Sequence, residues 1–365
     1  MDDLRRGVGR LRCAPFPTFQ DCAVPLPAIK PADHPATKPP RIGVMLMNLG
    51  TPDAPDYWSM RRYLSQFLSD RRVIETNPLA WQPILQGIVL SVRPQKSGAN
   101  YRRIWDEAAG DSPLRVITRR QVEKLQARLG DGVLVDFAMR YGNPSTDAKL
   151  RAMQEAGCTR ILLCPLYPQY SATTTATAAD CAFDVLKTMR WQPTIRMLPP
   201  YFDTPAYIEA LSQSLADGVK ALPFTPDVVL TSYHGMPVEY LLKGDPYHCQ
   251  CLKTTRLVRE RLGWSEDFLK VTFQSRFGPD EWLQPYTDKT IMALGQAGKK
   301  VAIVAPAFSV DCIETLEEIA ITGREQFVHA GGKAEGYAYI PCLNDSEPSM
   351  AMLESVVRNE LLGWL

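Results

Sequence analysis

The chain has 365 residues, 45% apolar and 22% charged, with a formal net charge of +1. That length allows two ordinary domains, and so even a balance leaves no charge field for nucleic acid. No apolar run approaches the roughly 20 residues of a membrane-spanning helix and no signal-type apolar core is read, so the expected compartment is the cytoplasm. There the nine cysteines stay reduced.

Residues 1–40 hold eight prolines between Pro15 and Pro40 and read as a mobile tail. The apolar run Arg41–Gly50 predicts a first buried strand. Asp56–Asp70 then carries a helical stripe of Tyr57, Met60, Tyr63, Leu64 and Phe67. Asn77–Arg93 is apolar from Leu79 through Trp81 to Leu90, with Arg71, Arg72, Arg93, Lys96, Arg102 and Arg103 around it. It is too short to span a bilayer and reads as an interfacial helix, the lip of an apolar pocket, or a buried core helix. Helices are expected at 114–129, 146–156 and 172–189, and strands at 133–139 and 160–167. After Pro199-Pro200 the alternation resumes: helices at 206–222, 254–262, 288–297 and 346–364, strands at 227–233, 268–274, 300–304 and 337–341. Strands alternating with helices predict parallel sheets flanked by helices, in two α/β domains spanning 41–190 and 191–365. The only hint of a repeat is that 163–170 and 304–309 share a strand-Pro-aromatic-Ser pattern.

In open parallel sheets ligands bind beyond the strands' carboxyl ends. Asn48, Arg140, Tyr141, Tyr167, Tyr170, Ser171, His234, Ser275, Arg276, Asp311 and Glu314 fall there. No Gly-x-Gly-x-x-Gly, Walker or Gly-x-Ser-x-Gly pattern occurs, so neither nucleotide nor hydrolase chemistry has local support. His234 follows an apolar strand directly and precedes Gly235, the position of a functional rather than a packed histidine. Asp311, Glu314 and Glu318, three and then four apart, would stack on one helix face. They read either as a track for a cation or protons, or as a solvated face. His248, Cys249 and Cys251 are two thiols and one imidazole in what reads as a loop, too few for zinc or an iron–sulfur centre. The many aromatic residues at the strand ends suit a flat apolar ligand.

Taken together and in order, Leu46-Met-Asn-Leu-Gly-Thr-Pro52, Arg140-Tyr141, Tyr167-Pro-Gln-Tyr-Ser171, Ser232-Tyr-His-Gly-Met-Pro237, Gly244-Asp-Pro-Tyr247, Phe273-Gln-Ser-Arg-Phe-Gly278, Trp282-Leu283 and Ala307-Phe-Ser-Val-Asp-Cys-Ile-Glu-Thr-Leu316 resemble the ferrochelatases, bacterial type. The resemblance runs from about Ile42 onward. It implies two Rossmann-like domains without nucleotide binding, and a porphyrin cleft in which ferrous iron, the substrate metal, enters protoporphyrin IX to form protohaem. It places the catalytic and metal-binding pair on His234 and Glu314. Leu49, Arg140, Tyr141, Tyr167, Trp282 and Phe308 would bind the porphyrin, and Asp311 and Glu318 would extend a secondary metal or proton path. The segment Trp81–Leu90 would form the cleft's lip, with peripheral contact at the inner face of the membrane. Ala172 stands where animal relatives carry a cluster-ligating cysteine, so a [2Fe–2S] cluster is not expected; Cys312 stands where they carry a histidine. The alternatives are a chelatase for coproporphyrin III or another class II chelatase, and a non-catalytic tetrapyrrole or metal carrier.

Overall fold

Eight strands form two sheets of four, all neighbours parallel, in the computed structural model, which describes residues 33–34 and 37–365. Most of the Pro-rich segment 1–40, and with it the expectation of a mobile tail, lies outside the described residues. The first half runs β1 (Arg41–Thr51), α1 (Tyr57–Leu68), α2 (Pro78–Ile84), α3 (Leu90–Arg102), α4 (Pro113–Leu129), β2 (Val133–Gly142), α5 (Thr146–Glu155), β3 (Cys158–Pro165), α6 (Thr177–Thr188) and β4 (Thr194–Met197). The second runs α7 (Pro205–Ala221), β5 (Val228–His234), α8 (Val238–Leu242), α9 (Tyr247–Leu262), β6 (Leu269–Gln274), α10 (Thr287–Gln296), β7 (Val301–Val304), α11 (Arg324–His329), β8 (Tyr337–Tyr339) and α12 (Glu347–Glu360). The sheet orders are β2-β1-β3-β4 and β6-β5-β7-β8, one plan used twice.

The central strands β1 and β5 are buried over most of their length because helices cover both faces of each sheet. One apolar cluster unites one face of each sheet: Val44, Leu46 and Leu162 join Val229 and Ala302 through Leu211 and Leu215 of α7 and Leu353 and Val357 of α12. Pro39–Leu365 is therefore a single compact unit holding both sheets. Helix α12 is also laced to α4, since Arg128 pairs with Glu347 and Glu354, and Arg358 donates to the Arg128 carbonyl.

Every expected strand forms. The short strand β4 was not foreseen, since Thr194-Ile-Arg-Met197 is brief and partly exposed at a sheet edge. It pairs with β3, so the first sheet reaches Met197, past the boundary expected at residue 190. Helix α9 starts at Tyr247, so His248, Cys249 and Cys251 lie on a helix rather than a loop. π-Helical turns, closed by i→i+5 bonds, occur at Leu85–Val89, Ala172–Ala176 and Ile313–Gly323.

Candidate active site

His234 ends β5, in register with Gln274 at the end of β6. The next residue must be small: a Cβ on Gly235 would sit 2.5 Å from the Gln274 carbonyl oxygen and 3.1 Å from the Trp282 ring. Gly235 N–H instead donates to that carbonyl at 2.7 Å, which brings strand and imidazole up against β6. Gln274 then connects the two expected catalytic residues. Its Oε1 accepts from Ser232 Oγ at 2.7 Å, one turn of strand before His234, and its Nε2 donates to the Glu314 backbone carbonyl at 2.7 Å. Glu314 is the second residue of the π-helix Ile313–Gly323.

His234 and Glu314 line one cavity of about 480 Å³ together with Leu49, Tyr167, Trp282 and Phe308. The rest of the wall is largely apolar, with Phe67, Trp81, Ile104, Leu114 and Ile313 among its members. The Phe308 ring meets the imidazole edge-on at 6.2 Å between centroids. The Tyr167 and Tyr247 hydroxyls and Trp282 Nε1 are among the buried polar atoms of this wall that have no partner among the described residues. Burial pushes the His234 imidazole below its ordinary value, and the nearby Glu314 carboxylate partly offsets that, so the ring is neutral at pH 7. A neutral imidazole facing a carboxylate across an apolar slot can take a proton on one side while a cation is held on the other.

The remaining expected residues are placed differently. Arg140 and Tyr141 do not line the cavity. Tyr141 packs edge-on behind Phe67 at 5.1 Å, with the Arg140 guanidinium 4.4 Å over its own ring. Both bond Asp70, the tyrosine at 2.8 Å, and Arg140 also donates to Thr177 Oγ1 at 2.6 Å. Burial raises the Asp70 carboxyl, but the hydrogen bonds from Thr177, Arg72 and Tyr141 and the Arg140 charge outweigh it and hold it below the usual range. The pair braces the wall from behind.

Asp311 precedes the π-helix, so it does not share a helix face with Glu314 and Glu318. Its buried carboxylate is an anchor, accepting from Tyr339 Oη at 2.5 Å, Asn344 Nδ2 at 2.6 Å, Thr315 Oγ1 at 3.1 Å and the Cys342 amide at 3.3 Å. Three donors meet its Oδ1 and one meets its Oδ2, which holds the carboxylate in place. Glu318 opens on a second, polar cavity of about 440 Å³ whose walls include Arg276, Asp288, Thr322 and Gln326. The two cavities share Phe277 and Gly278. Burial pushes the Glu318 carboxyl up to about 7, against the Ser275 hydrogen bonds and with the Glu314 charge adding to the rise. Thus Glu314 faces one cavity, and Glu318, a turn later, the other.

Sequence reasoning also missed site residues. Arg93 lines the slot, its guanidinium 5.8 Å from the Phe277 ring. Asp245 in the Gly-Asp-Pro-Tyr motif accepts from Ser171 Oγ at 3.0 Å and from the Ala172 amide at 2.8 Å, which explains why those two motifs sit together. Cys249 is exposed and Cys251 buried, so the thiols of that Cys-x-Cys face opposite surroundings. Among the described residues, no group of three or more His, Cys, Asp and Glu converges as metal ligands. Two facing donors with open positions suit a metal in transit.

Comparison with known proteins agrees with this geometry. The family model described as Ferrochelatase matches residues 41–361. The ferrochelatase of Allorhizobium ampelinum is 56% identical over 338 residues, covering 92% of this chain and 98% of that protein. The ferrochelatase of Rhodobacter capsulatus is 57% identical over 341 residues, covering 92% and 97%. Among solved structures, the sirohydrochlorin chelatase SirB of Bacillus subtilis subspecies spizizenii shares the fold at a TM-score of 0.51 and 8% identity, over 88% of this chain and 95% of that one. With a matching model over most of its length, relatives above half identity and two chelatase-type sheets bordering an imidazole–carboxylate slot, the chain belongs to the ferrochelatase family.

Proposed function

We propose that this chain inserts ferrous iron into protoporphyrin IX to form protohaem, the last step of haem synthesis. One observation carries the reading: His234 and Glu314, eighty positions apart, border the same aromatic-walled cavity. The macrocycle lies in the slot against Leu49, Tyr167, Trp282 and Phe308 and is bent so that its nitrogen lone pairs tip out of plane. Such strain costs about 1–5 kcal/mol, drawn from binding of the rest of the ring. Metallation releases two pyrrole protons as iron–nitrogen bonds replace iron–water bonds. Neutral His234 accepts a proton at the ring, Glu314 holds the incoming cation, and Glu318 relays protons or cations toward the second cavity. Arg140 and Tyr141 contribute by bracing the porphyrin wall, and Asp311 by fixing the segment that leads into Glu314.

The fold is read as two Rossmann-like halves that divide near residue 190, with the protein in the cytoplasm. No helix among the described residues is long and apolar enough to cross a membrane. On α2, the π-turn and α3, however, Leu79, Ile88 and Val92 are 87%, 65% and 70% exposed, beside Arg93 and Lys96. That stripe supports peripheral contact with a membrane surface, where an apolar product would leave.

The test is to mix anaerobic protein with protoporphyrin IX and Fe(II) and follow porphyrin fluorescence and haem absorption. Loss of the one with growth of the other is expected. Binding without metallation would mark a carrier, and faster turnover on coproporphyrin III would reassign the substrate.

A further inference from the structure

Arg103 immediately follows α3 and stands beside Tyr101 and Ile104, which line the slot. Its guanidinium reaches the π-helix Ile313–Gly323 in the other half of the molecule. One nitrogen donates to Glu317 Oε1 at 2.7 Å and to Thr322 Oγ1 at 3.4 Å, and the other pairs with Glu325. Glu317 is not a surface acid: its side chain is 8% exposed, and the Thr322 hydroxyl donates to the same Oε1 at 2.9 Å. A buried carboxylate oxygen that accepts from both a guanidinium nitrogen and a hydroxyl has a defined orientation, unlike an exposed ion pair.

Glu317 lies three residues after Glu314 and next to Glu318, so whatever fixes it fixes both. A π-helix of 11 residues is longer than the single turns in which this conformation usually occurs, and it needs outside support. Ser275 holds Glu318 and Asp311 holds Thr315, and three further side chains brace the helix: Gln274 on the Glu314 carbonyl, Tyr337 Oη on the Ile319 carbonyl at 2.6 Å, and Arg103. Gln274 and Tyr337 belong to the same half as the helix. Of the three, Arg103 alone ties it to the wall made by α1–α3.

We propose that Arg103 is a positioning residue for metal insertion, setting the Glu314 carboxylate at a fixed height over the part of the slot walled by the first half. This rests on the reading that Glu314 meets the metal. The pair is particular to the residues present here, since it needs an acid at position 317 facing a guanidinium at 103.

The experiment compares full-length Arg103→Ala, Arg103→Lys and Glu317→Gln with the parent, using protoporphyrin IX and Zn(II) or Fe(II). In Arg103→Ala, kcat should fall about 10- to 100-fold while the porphyrin Kd, read by fluorescence, changes less than about twofold. Millimolar guanidinium chloride should restore a substantial part of the lost turnover, and equal NaCl should not. Arg103→Lys, which offers one point charge in place of a fork, should be intermediate. Glu317→Gln, nearly isosteric, should lose about three- to tenfold in kcat and gives a readout should Arg103→Ala fold poorly. Wild-type kcat in Arg103→Ala and Glu317→Gln would overturn the proposal, as would losses in kcat matched by equal losses in porphyrin affinity and no response to guanidinium. If Glu314→Ala itself turned over normally, the underlying reading would fall instead. Inactive Glu314→Ala alongside fully active Arg103→Ala would remove only the role of Arg103.

Discussion

The two halves are built on one strand order but equipped differently. In each, the third strand in sequence leads into a Pro-aromatic stretch and then a π-helical segment: β3, Tyr167-Pro168 and Ala172–Ala176 in the first, β7, Pro306-Ala307-Phe308 and Ile313–Gly323 in the second. The first segment holds alanine and threonine only, whereas the second carries Glu314, Glu317 and Glu318. The leading strands differ likewise. β1 reaches Asn48, whose amide is spent on Thr118 Oγ1 at 3.3 Å, and Leu49, while β5 ends in His234, whose ring no hydrogen bond ties down among the described residues. Titratable chemistry sits on one copy of the plan; the other supplies the wall, the lip and the apolar stripe. A repeated scaffold thus lets one copy carry polar groups at strand ends, where burial is expensive, while its twin supplies the low-dielectric surface that gives those groups their altered acidities.

The strongest way to break that division is to remove its polar side. His234→Ala and Glu314→Ala should each lower haem formation by about 10²- to 10⁴-fold while the protein still binds porphyrin and melts near the parent temperature. Near-normal turnover in either would sink its assigned role. Asp311→Ala sharpens the difference between anchor and path. Removing the acceptor of four donors should cost about 3 kcal/mol in denaturant unfolding, and a variant inactive in metal transfer yet fully stable would return Asp311 to a cation track. On the apolar side, Leu79→Asp with Ile88→Asp should weaken sedimentation with anionic vesicles about tenfold and leave turnover in detergent unchanged. Unaltered vesicle binding would remove the lip from the membrane surface.

The smallest effect concerns Glu318. Its carboxyl is protonated up to about pH 7 in the folded protein but ionises near 4.5 when exposed. Between those values the folded state keeps a proton that the unfolded chain has released, so this residue makes stability fall as pH rises. Glu318→Gln should flatten that decline, and equal pH profiles for the two proteins would contradict the burial of the acid.

Much of this was legible beforehand, for identifiable reasons. Parallel strands covered on both faces leave unbroken apolar runs, so β1, β5 and β7 stand out, and strand ends point at His234 without any alignment. Other features leave no such mark. The π-helix escapes because its residues also satisfy α-helical spacing, which put Asp311 in line with Glu314 when it precedes the helix altogether. Arg140 and Tyr141 lie at the end of β2 as a cavity-lining pair would, yet their partner Asp70 lies about seventy residues away and turns them behind the wall. The lip segment stayed ambiguous because Leu85 and Leu90 are buried and Leu79, Ile88 and Val92 are not, a split that depends on which neighbours arrive.

The lacing of α12 onto α4 bears on how the molecule is made. Residues near 350 complete the cover of a sheet whose strands are all synthesised by residue 197. A ribosome adding roughly 5–20 residues per second therefore leaves that surface uncapped for about 8 to 30 seconds. During that interval the nascent first half exposes Leu125, Val133 and Phe137 and is open to chaperone capture, even though its own hydrogen-bonded ladder is already complete.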